Sequence, residues 1–175
     1  MSSGELARIV KLDQLPSTAL AINASEAERA ALARRFGLPA LHALAAEIVL
    51  ARHGEEIDAQ GRLTASFEQR CALSDEPFAA ALDEAIAFRF VPALAATGEE
   101  EEIEIASDAP DEIEYDGASF DLGEAVAQSF GLALDPYAVG PDADTVRKEA
   151  GILAENAPSG PFAALAALKP VSAQG

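Results

Sequence analysis

The chain has 175 residues and a formal net charge of −18, so it is long enough for one domain with a hydrophobic core and too short to predict two. It contains one cysteine and two histidines, which excludes an internal disulfide, and the spacing of these three residues matches no zinc-binding pattern. No run of 18 apolar residues occurs and charged residues are present throughout the N-terminal segment, so we expect no membrane-spanning helix, no signal peptide and a cytoplasmic protein.

The acidic residues are concentrated in the second part of the chain. Residues 1–92 contain nine Lys and Arg against thirteen Asp and Glu, whereas the later residues contain three against seventeen. Residues 97–116 alone contain ten carboxylates and no Lys or Arg, and such a segment is predicted to be an acidic loop. This part of the chain repels a polyanion such as RNA and attracts a basic protein.

The N-terminal residues predict two short extended segments followed by a helix. Residues 5–15 and 18–24 are expected to be short strands. Ser25 and Glu28 have the spacing of a capping box, with Ser at the N-cap and Glu three residues later, and this predicts the start of a helix. Gly37 is expected to end that helix.

The central residues contain one ambiguous segment and two clearer ones. In residues 40–53 the apolar residues fit the spacing of a helix and also the alternation of a half-buried strand, and composition alone favours a helix. Residues 61–73 alternate polar and apolar side chains and predict a strand, which Pro77 ends. A second alternating run, residues 85–91, predicts another strand.

Beyond the acidic segment, the sequence predicts one strand and two helices. Residues 112–117 resemble a short strand. Asp121 is expected to cap a helix over residues 122–134, because the apolar residues there recur every four positions. A short polar helix is predicted within residues 142–151.

No motif typical of catalysis occurs in the chain. The sequence has no glycine-rich phosphate loop, no GxSxG sequence, no HExxH sequence and no set of carboxylates with metal-binding spacing. Neighbouring carboxylates such as Asp83 and Glu84 are typical of a solvated surface in a chain this acidic. We therefore expect no enzymatic activity, no metal and no cofactor.

The only cysteine, Cys71, lies in the sequence FEQRCALSDEPF, residues 67–78, where an alternating run ends. A free cysteine packs as a small apolar side chain, and alternation places Cys71 on one face with Phe67 and Leu73, and Arg70 on the other. This favours a buried structural thiol. The alternative is a reactive thiol whose pKa is lowered by the neighbouring cation of Arg70.

Several segments occur in an order that resembles a known family. The sequence QRCALSDEP resembles the motif Q-x-C-x-x-(T/S)-x-x-P, and it is followed by FRFVP, by the acidic segment, by FDLGEAVAQSFGLALDPY and by PFAALAALK. Over residues 38–169 this order is similar to the YceD family, the large ribosomal RNA subunit accumulation proteins. The resemblance makes Gln69, Cys71 and Pro77 a structural motif. Many relatives carry C-x-R-C here, whereas Glu68 stands at the position of the first cysteine, so metal binding is not carried over.

The resemblance implies an α+β fold for a single domain over residues 1–169, with its core at about 38–140. It favours a strand over a helix for residues 40–52. The centre is then an antiparallel β-meander with two flanking helices, made of strands at 41–52, 56–71 and 78–91 and helices at 25–37 and 121–134. Residues 140–175 are expected to be a loosely ordered, mobile C-terminal tail in which residues 161–169 form a docking segment.

The resemblance implies a non-enzymatic factor that supports accumulation of large-subunit (23S) ribosomal RNA and ribosome assembly. The leading hypothesis is binding of this RNA, or of a pre-ribosomal particle, through the basic residues of the sheet, which are Arg52, Arg62, Arg70 and Arg89. The alternative is a chaperone-like module that holds a basic ribosomal protein without contacting RNA, through the carboxylates Glu99, Glu100, Glu101 and Glu102. A third hypothesis is a redox protein acting through Cys71. Neither a membrane nor DNA is expected as a partner.

Overall fold

The computed structural model describes residues 5–93 and 111–149. The strands in these residues are β1 (Ile9–Lys11), β2 (Leu20–Asn23), β3 (Ala40–His53), β4 (Glu56–Arg70), β5 (Pro77–Pro92), β6 (Asp111–Tyr115) and β7 (Ser119–Asp121). The α-helices are α1 (Glu26–Phe36), α2 (Leu122–Ala133) and α3 (Ala143–Glu149), and a 3-10 turn at Leu12–Gln14 follows β1.

Five of these strands form one sheet in the order β2-β3-β4-β5-β6, and β1 pairs with β7 in a separate two-stranded sheet. All pairs are antiparallel except β5 with β6, which run parallel. The three central strands are long, at 14, 15 and 16 residues. The predicted α+β fold built on an antiparallel meander is confirmed.

β1 is shorter than the strand predicted for residues 5–15, because the chain turns at Leu12–Gln14.

Residues 40–53 form β3, so the helix that composition favours for this segment is wrong. β3 pairs with β2 along one edge and with β4 along the other. Leu44, Ala46 and Ile48 alternate into the core and are buried. The helix preference of Ala and Leu is weak, and it is outweighed by strand pairing on both sides together with burial of one face. The strand implied by the resemblance is confirmed.

The hydrophobic core lies between one face of the sheet and helices α1 and α2. Leu122, Val126 and Phe130 of α2 are fully buried, as their four-residue spacing predicts. The ring of Phe130 makes edge-to-face contacts with Phe36 and Phe67, at centroid distances of 5.6 and 5.5 Å. These three rings join α1, α2 and β4 into one core.

The predicted starts of α1 and α2 are both confirmed. The Ser25 hydroxyl accepts the backbone N–H of Glu28, whose carboxylate accepts the backbone N–H of Ser25 at 2.7 Å. Arg8 donates to the same carboxylate at 2.6 and 3.1 Å, and this hydrogen-bonded ion pair lowers the pKa of Glu28 to about 2. Gly37, with φ of 66°, ends α1, and Asp121 caps α2 by accepting two backbone N–H groups.

Two predicted segments lie largely or wholly outside the described residues. These are residues 97–110 of the acidic loop, which include Glu99, Glu100, Glu101 and Glu102, and the docking segment at 161–169. The last part of the predicted acidic loop is β6, in agreement with the strand predicted at 112–117. The short polar helix predicted within 142–151 is α3.

Candidate partner-binding surface

The sheet has an inner face, which packs against α1 and α2, and an outer face, which the rest of the described chain leaves exposed at its centre. Along β4 the large apolar residues of the inner face, Ile57, Leu63 and Phe67, are buried, whereas Arg62 and Thr64 of the outer face are exposed. Their cross-strand neighbours include Glu47 on β3 and Ala85 on β5, which are also exposed. Strand alternation therefore presents an outer face of small and charged side chains to solvent.

Arg62 lies at the centre of the outer face and is bound by a carboxylate of the next strand. Its Nε and Nη2 atoms donate to Oδ1 and Oδ2 of Asp83, at 2.5 and 2.8 Å. The ion pair raises the pKa of Arg62 and lowers the pKa of Asp83, mainly through the hydrogen bonds between the two side chains. Both side chains are more than half exposed, at 69% and 55%. A phosphate group would have to displace Asp83 to reach this guanidinium.

Arg89 also lies on the outer face, opposite Asp58 in the β4–β5 register. Its Nε donates to Oδ1 of Asp58 at 2.7 Å, and its Nη1 lies 3.8 Å from Oε2 of Glu56. These carboxylates raise the pKa of Arg89, chiefly through the hydrogen bond that Arg89 donates to Asp58. Asp58 is also 3.4 Å from Nε2 of His53. Arg89 is thus one cation within a cluster that contains two carboxylates.

The other two predicted arginines lie apart from this pair. Arg70 ends β4, and its Nη1 donates to the backbone oxygen of Asp75 at 2.8 Å and lies 3.4 Å from the carboxylate of the same residue. Arg52 follows Leu50 on the inner side of β3 and donates to the backbone oxygens of Leu12 and Gly54 at 3.0 and 2.8 Å. The structure therefore places three of the four arginines on the outer face, each beside a carboxylate, and one on the other side of the sheet.

Some basic residues outside the predicted set have no carboxylate within ion-pair distance in the part of the chain that the structure describes. Arg29 and Arg34 lie on α1, where they line a surface groove with Leu38. Arg29 donates to the backbone oxygen of Ala24 at 2.8 Å. The sequence predicted that Arg29 and Arg34 lie in a helix, but which arginines meet a carboxylate depends on strand register and on distant residues.

Cys71 is buried, with 4% of its surface exposed, as the sequence predicted. Its thiol has a pKa lowered to about 7, first because the Ser74 hydroxyl donates to it and then because backbone N–H groups of Gly140, Leu73 and Ser74 do. Arg70 is not among the causes, since it is bound to Asp75. The thiol thus links the β4–β5 loop to the segment after α2.

Gln69 and Pro77, the other residues of the predicted structural motif, lie close to Cys71 along the chain. Gln69 is half-buried on the same side of β4, and Pro77 begins β5 opposite Arg70. The backbone N–H of Ala72 donates to the oxygen of Ala138 at 2.9 Å, which adds a second link between the loop and the segment after α2. The conformation of this loop therefore depends on contacts between residues far apart in sequence.

Within residues 5–93 and 111–149, no three His, Cys, Asp or Glu side chains are grouped so that they could hold a metal ion. No helix in these ranges is long and apolar enough to cross a membrane.

A family model supports the resemblance found in the sequence. The model described as "Large ribosomal RNA subunit accumulation protein YceD" matches residues 59–169, which is more than half of the chain. No curated protein and no solved structure matches the chain. The match begins within β4 and includes the long β5, the parallel β6 and the helix α2 that covers the inner face. The chain belongs to the YceD family.

Proposed function

We propose that the protein acts in large-subunit ribosomal RNA accumulation by binding a basic ribosomal protein in a pre-ribosomal particle, without catalysing a reaction. The family supports a role in accumulation of this RNA. The proposal adds the mode of action and the chemistry of the partner. A cytoplasmic location follows from that role.

The observation that carries the proposal is the pairing of the outer-face arginines. Arg62 and Arg89 are each hydrogen-bonded to a carboxylate of a neighbouring strand, and Arg70 lies beside Asp75. Charges bound in this way do not form a free cationic track for phosphates. The chain as a whole carries a net charge of −18, which attracts a basic protein and repels a polyanion such as RNA.

Direct RNA binding is the second candidate, and specific residues favour it. Arg29 and Arg34 on α1, together with Arg52 and Lys11, have no carboxylate within ion-pair distance in the described ranges. Contacts from such cations to phosphates would make binding salt-dependent. Direct contact through Arg62 or Arg89 would instead require release of Asp83 or Asp58.

Capture of partners by the full chain, from growing cells at moderate salt, tests the proposal. RNA and protein are both identified, and a parallel sample is treated with nuclease. A basic ribosomal protein retained after nuclease treatment supports the proposal, and retention of large-subunit RNA without protein contradicts it. Turnover of any substrate by the purified protein would also contradict it.

Two sets of variants separate the candidates. Changing the four carboxylates Glu99, Glu100, Glu101 and Glu102 to Gln is expected to weaken capture of the basic protein. The control variant has the same change in net charge at four other carboxylates, changed to their amides, and these are Glu26, Asp142, Asp144 and Glu149.

Release of the paired arginines tests the RNA candidate. Asp83→Asn frees Arg62, so direct phosphate binding at this face should become tighter in the variant. Arg62→Glu with Arg70→Glu should abolish it. If RNA binding changes in neither variant, the outer face is not an RNA contact.

A further inference from the structure

The edge of β5 between Ala79 and Ala87 has no strand partner among residues 5–93 and 111–149. β5 pairs with β4 along nearly its whole length, whereas β6 pairs with β5 only from Phe88 to Pro92. The open part has nine residues and a length of about 30 Å. An open edge of this length presents backbone groups that another strand can pair with.

Every second residue of this edge directs its backbone N–H and C=O groups away from β4. On the β6 side, Ala93 donates its N–H to the oxygen of Tyr115 at 2.8 Å, and the direction of hydrogen bonding alternates along a regular strand. The β4–β5 register is continuous from Pro77 to Phe90, so the alternation extends back along β5. The residues with outward backbone groups are Ala79, Ala81, Asp83, Ala85 and Ala87.

The side chains along this edge leave the backbone accessible and add negative charge. Five of the nine residues are alanine, which shields neighbouring backbone groups little. Leu82 and Ile86 are partly buried against the core and offer apolar contacts on the inner face. Glu84, between them, is exposed and has no cation within ion-pair distance in the described ranges. Asp111 is exposed where the open edge meets β6.

We propose that this edge binds an extended, basic polypeptide segment as an added β-strand, in line with β6. The inference rests on the proposed function and specifies the backbone conformation of the bound partner. Main-chain hydrogen bonds to the outward groups supply the affinity, and Lys or Arg side chains that reach Glu84 and Asp111 supply the preference for a basic segment.

A second copy of the chain fits this edge poorly. Antiparallel pairing of two such edges about their centre places Asp83 opposite the Asp83 of the other copy, and like charges directly opposite each other destabilise a strand pair. Acidic residues in the middle of an edge strand are one way in which proteins prevent self-pairing. A basic segment meets no such repulsion.

Peptide binding to the full chain tests the inference. The probe is a fluorescent peptide of alternating Lys and Val, about ten residues long to match the open edge. Two peptides serve as comparisons: one with the same sequence and N-methyl groups on alternate amides, and one with Glu in place of Lys. We expect the Lys-Val peptide to bind and both others to bind at least about tenfold more weakly. The methylated peptide loses several main-chain hydrogen bonds, and the Glu peptide loses the attraction between opposite charges. Equal binding of the methylated peptide would overturn the inference.

A variant of the edge locates the contact. Ala85→Pro removes one outward N–H and leaves the hydrogen bonds to β4 in place, and proline is tolerated on an edge strand in this orientation. Ala85→Val is the matched control because it keeps the N–H. We expect Ala85→Pro to weaken peptide binding about fivefold or more and Ala85→Val to bind as the parent does. Circular dichroism and thermal unfolding establish that both variants fold.

Amide hydrogen exchange of the free chain provides a measurement independent of any peptide. The outward amides should exchange quickly and those directed at β4 slowly, and the peptide should protect the outward set. Outward amides that are already protected in the free monomer would overturn the inference, because another segment of the chain would then occupy the edge. Protection that depends on protein concentration would also overturn it, since a second copy would be the occupant.

The proposed function and the strand-addition inference fail in different ways. If Ala85→Pro abolishes peptide binding but still captures the basic ribosomal protein from cells, the inference is wrong about that partner and the proposed function stands. If the parent chain captures no ribosomal component, the proposed function fails whatever the peptides do.

Discussion

The inner and outer faces of the three long strands differ in what surrounds their side chains. The inner face buries apolar side chains such as Ile57 and Leu63 against two helices. The outer face keeps alanines and ion pairs in water, as in the pair of Arg62 with Asp83. Burial of apolar area stabilises a fold far more than exposed ion pairs do. We therefore expect the inner face to determine stability and the outer face and strand edge to determine binding.

The largest expected effect comes from removing the ring at the centre of the inner layer. Phe130→Ala leaves a cavity where the ring contacts Phe36 and Phe67, and we expect a loss of about 3–5 kcal/mol in the free energy of unfolding. Chemical denaturation measures it. Leu132→Ala, in the same helix at 80% exposure, is the control, and we expect it to change stability by no more than about 0.5 kcal/mol. Comparable losses in the two variants would contradict the assignment of the core.

Gly61 tests how closely β3 and β4 approach. A Cβ atom added at Gly61 would overlap the backbone oxygen of Glu47, and backbone atoms cannot move aside as a flexible side chain does. We expect Gly61→Ala to lower the free energy of unfolding by about 1–3 kcal/mol, as overpacking does. Gln60→Ala, the exposed neighbour on the outer face, is the control. If Gly61→Ala is neutral by denaturation, the strands are less closely packed than the structure shows.

The pair of Arg8 with Glu28 predicts a loss of stability in acid. The pKa of Glu28 is about 2 in the folded protein against 4.5 for the free group. Its contribution is therefore fully present above pH 4.5 and is lost as the pH falls towards 2. In denaturation curves across this range, Glu28→Gln should lose stability less steeply than the parent. Glu26→Gln, at an exposed residue of the same turn, should follow the parent, and identical slopes for all three proteins would exclude the effect.

The smallest expected effect on stability is at the outer-face ion pair. Arg62→Met and Asp83→Asn each remove one partner of a pair in which both side chains are more than half exposed. Solvent and salt screen such charges, so the unfolding midpoint of either variant should stay close to that of the parent. A loss as large as that of Phe130→Ala would mean that the outer face is part of the stabilising structure.

Local sequence patterns correctly predicted the elements whose signals lie within a few residues of one another. The capping box of Ser25 with Glu28 and the cap at Asp121 both depend on contacts across three residues, and both are present. The four-residue spacing that includes Val126 likewise identified the buried side of α2. The residue order quoted from QRCALSDEP onward was enough to indicate the family that the chain belongs to.

Strand register could not be predicted in the same way, and the candidate site depends on it. Arg62 binds a carboxylate because the register of β4 and β5 places it diagonally opposite Asp83 on the adjacent strand. Arg52 is separated from the other arginines because the alternation of β3 directs it to the inner face. The pKa of Cys71 was lowered by Ser74 and the distant Gly140, although the neighbouring Arg70 was the cation visible in the sequence.

The sequence by itself determined the charge, the helix caps and the alternating strands, because each follows from residue types and short spacings. The tertiary structure alone decided that residues 40–53 are a strand, which arginines have carboxylate partners and which edge of β5 lacks a strand partner within residues 5–93 and 111–149. The physical reason is that hydrogen-bonded pairing between strands, and the burial of one face that it allows, joins residues far apart in sequence.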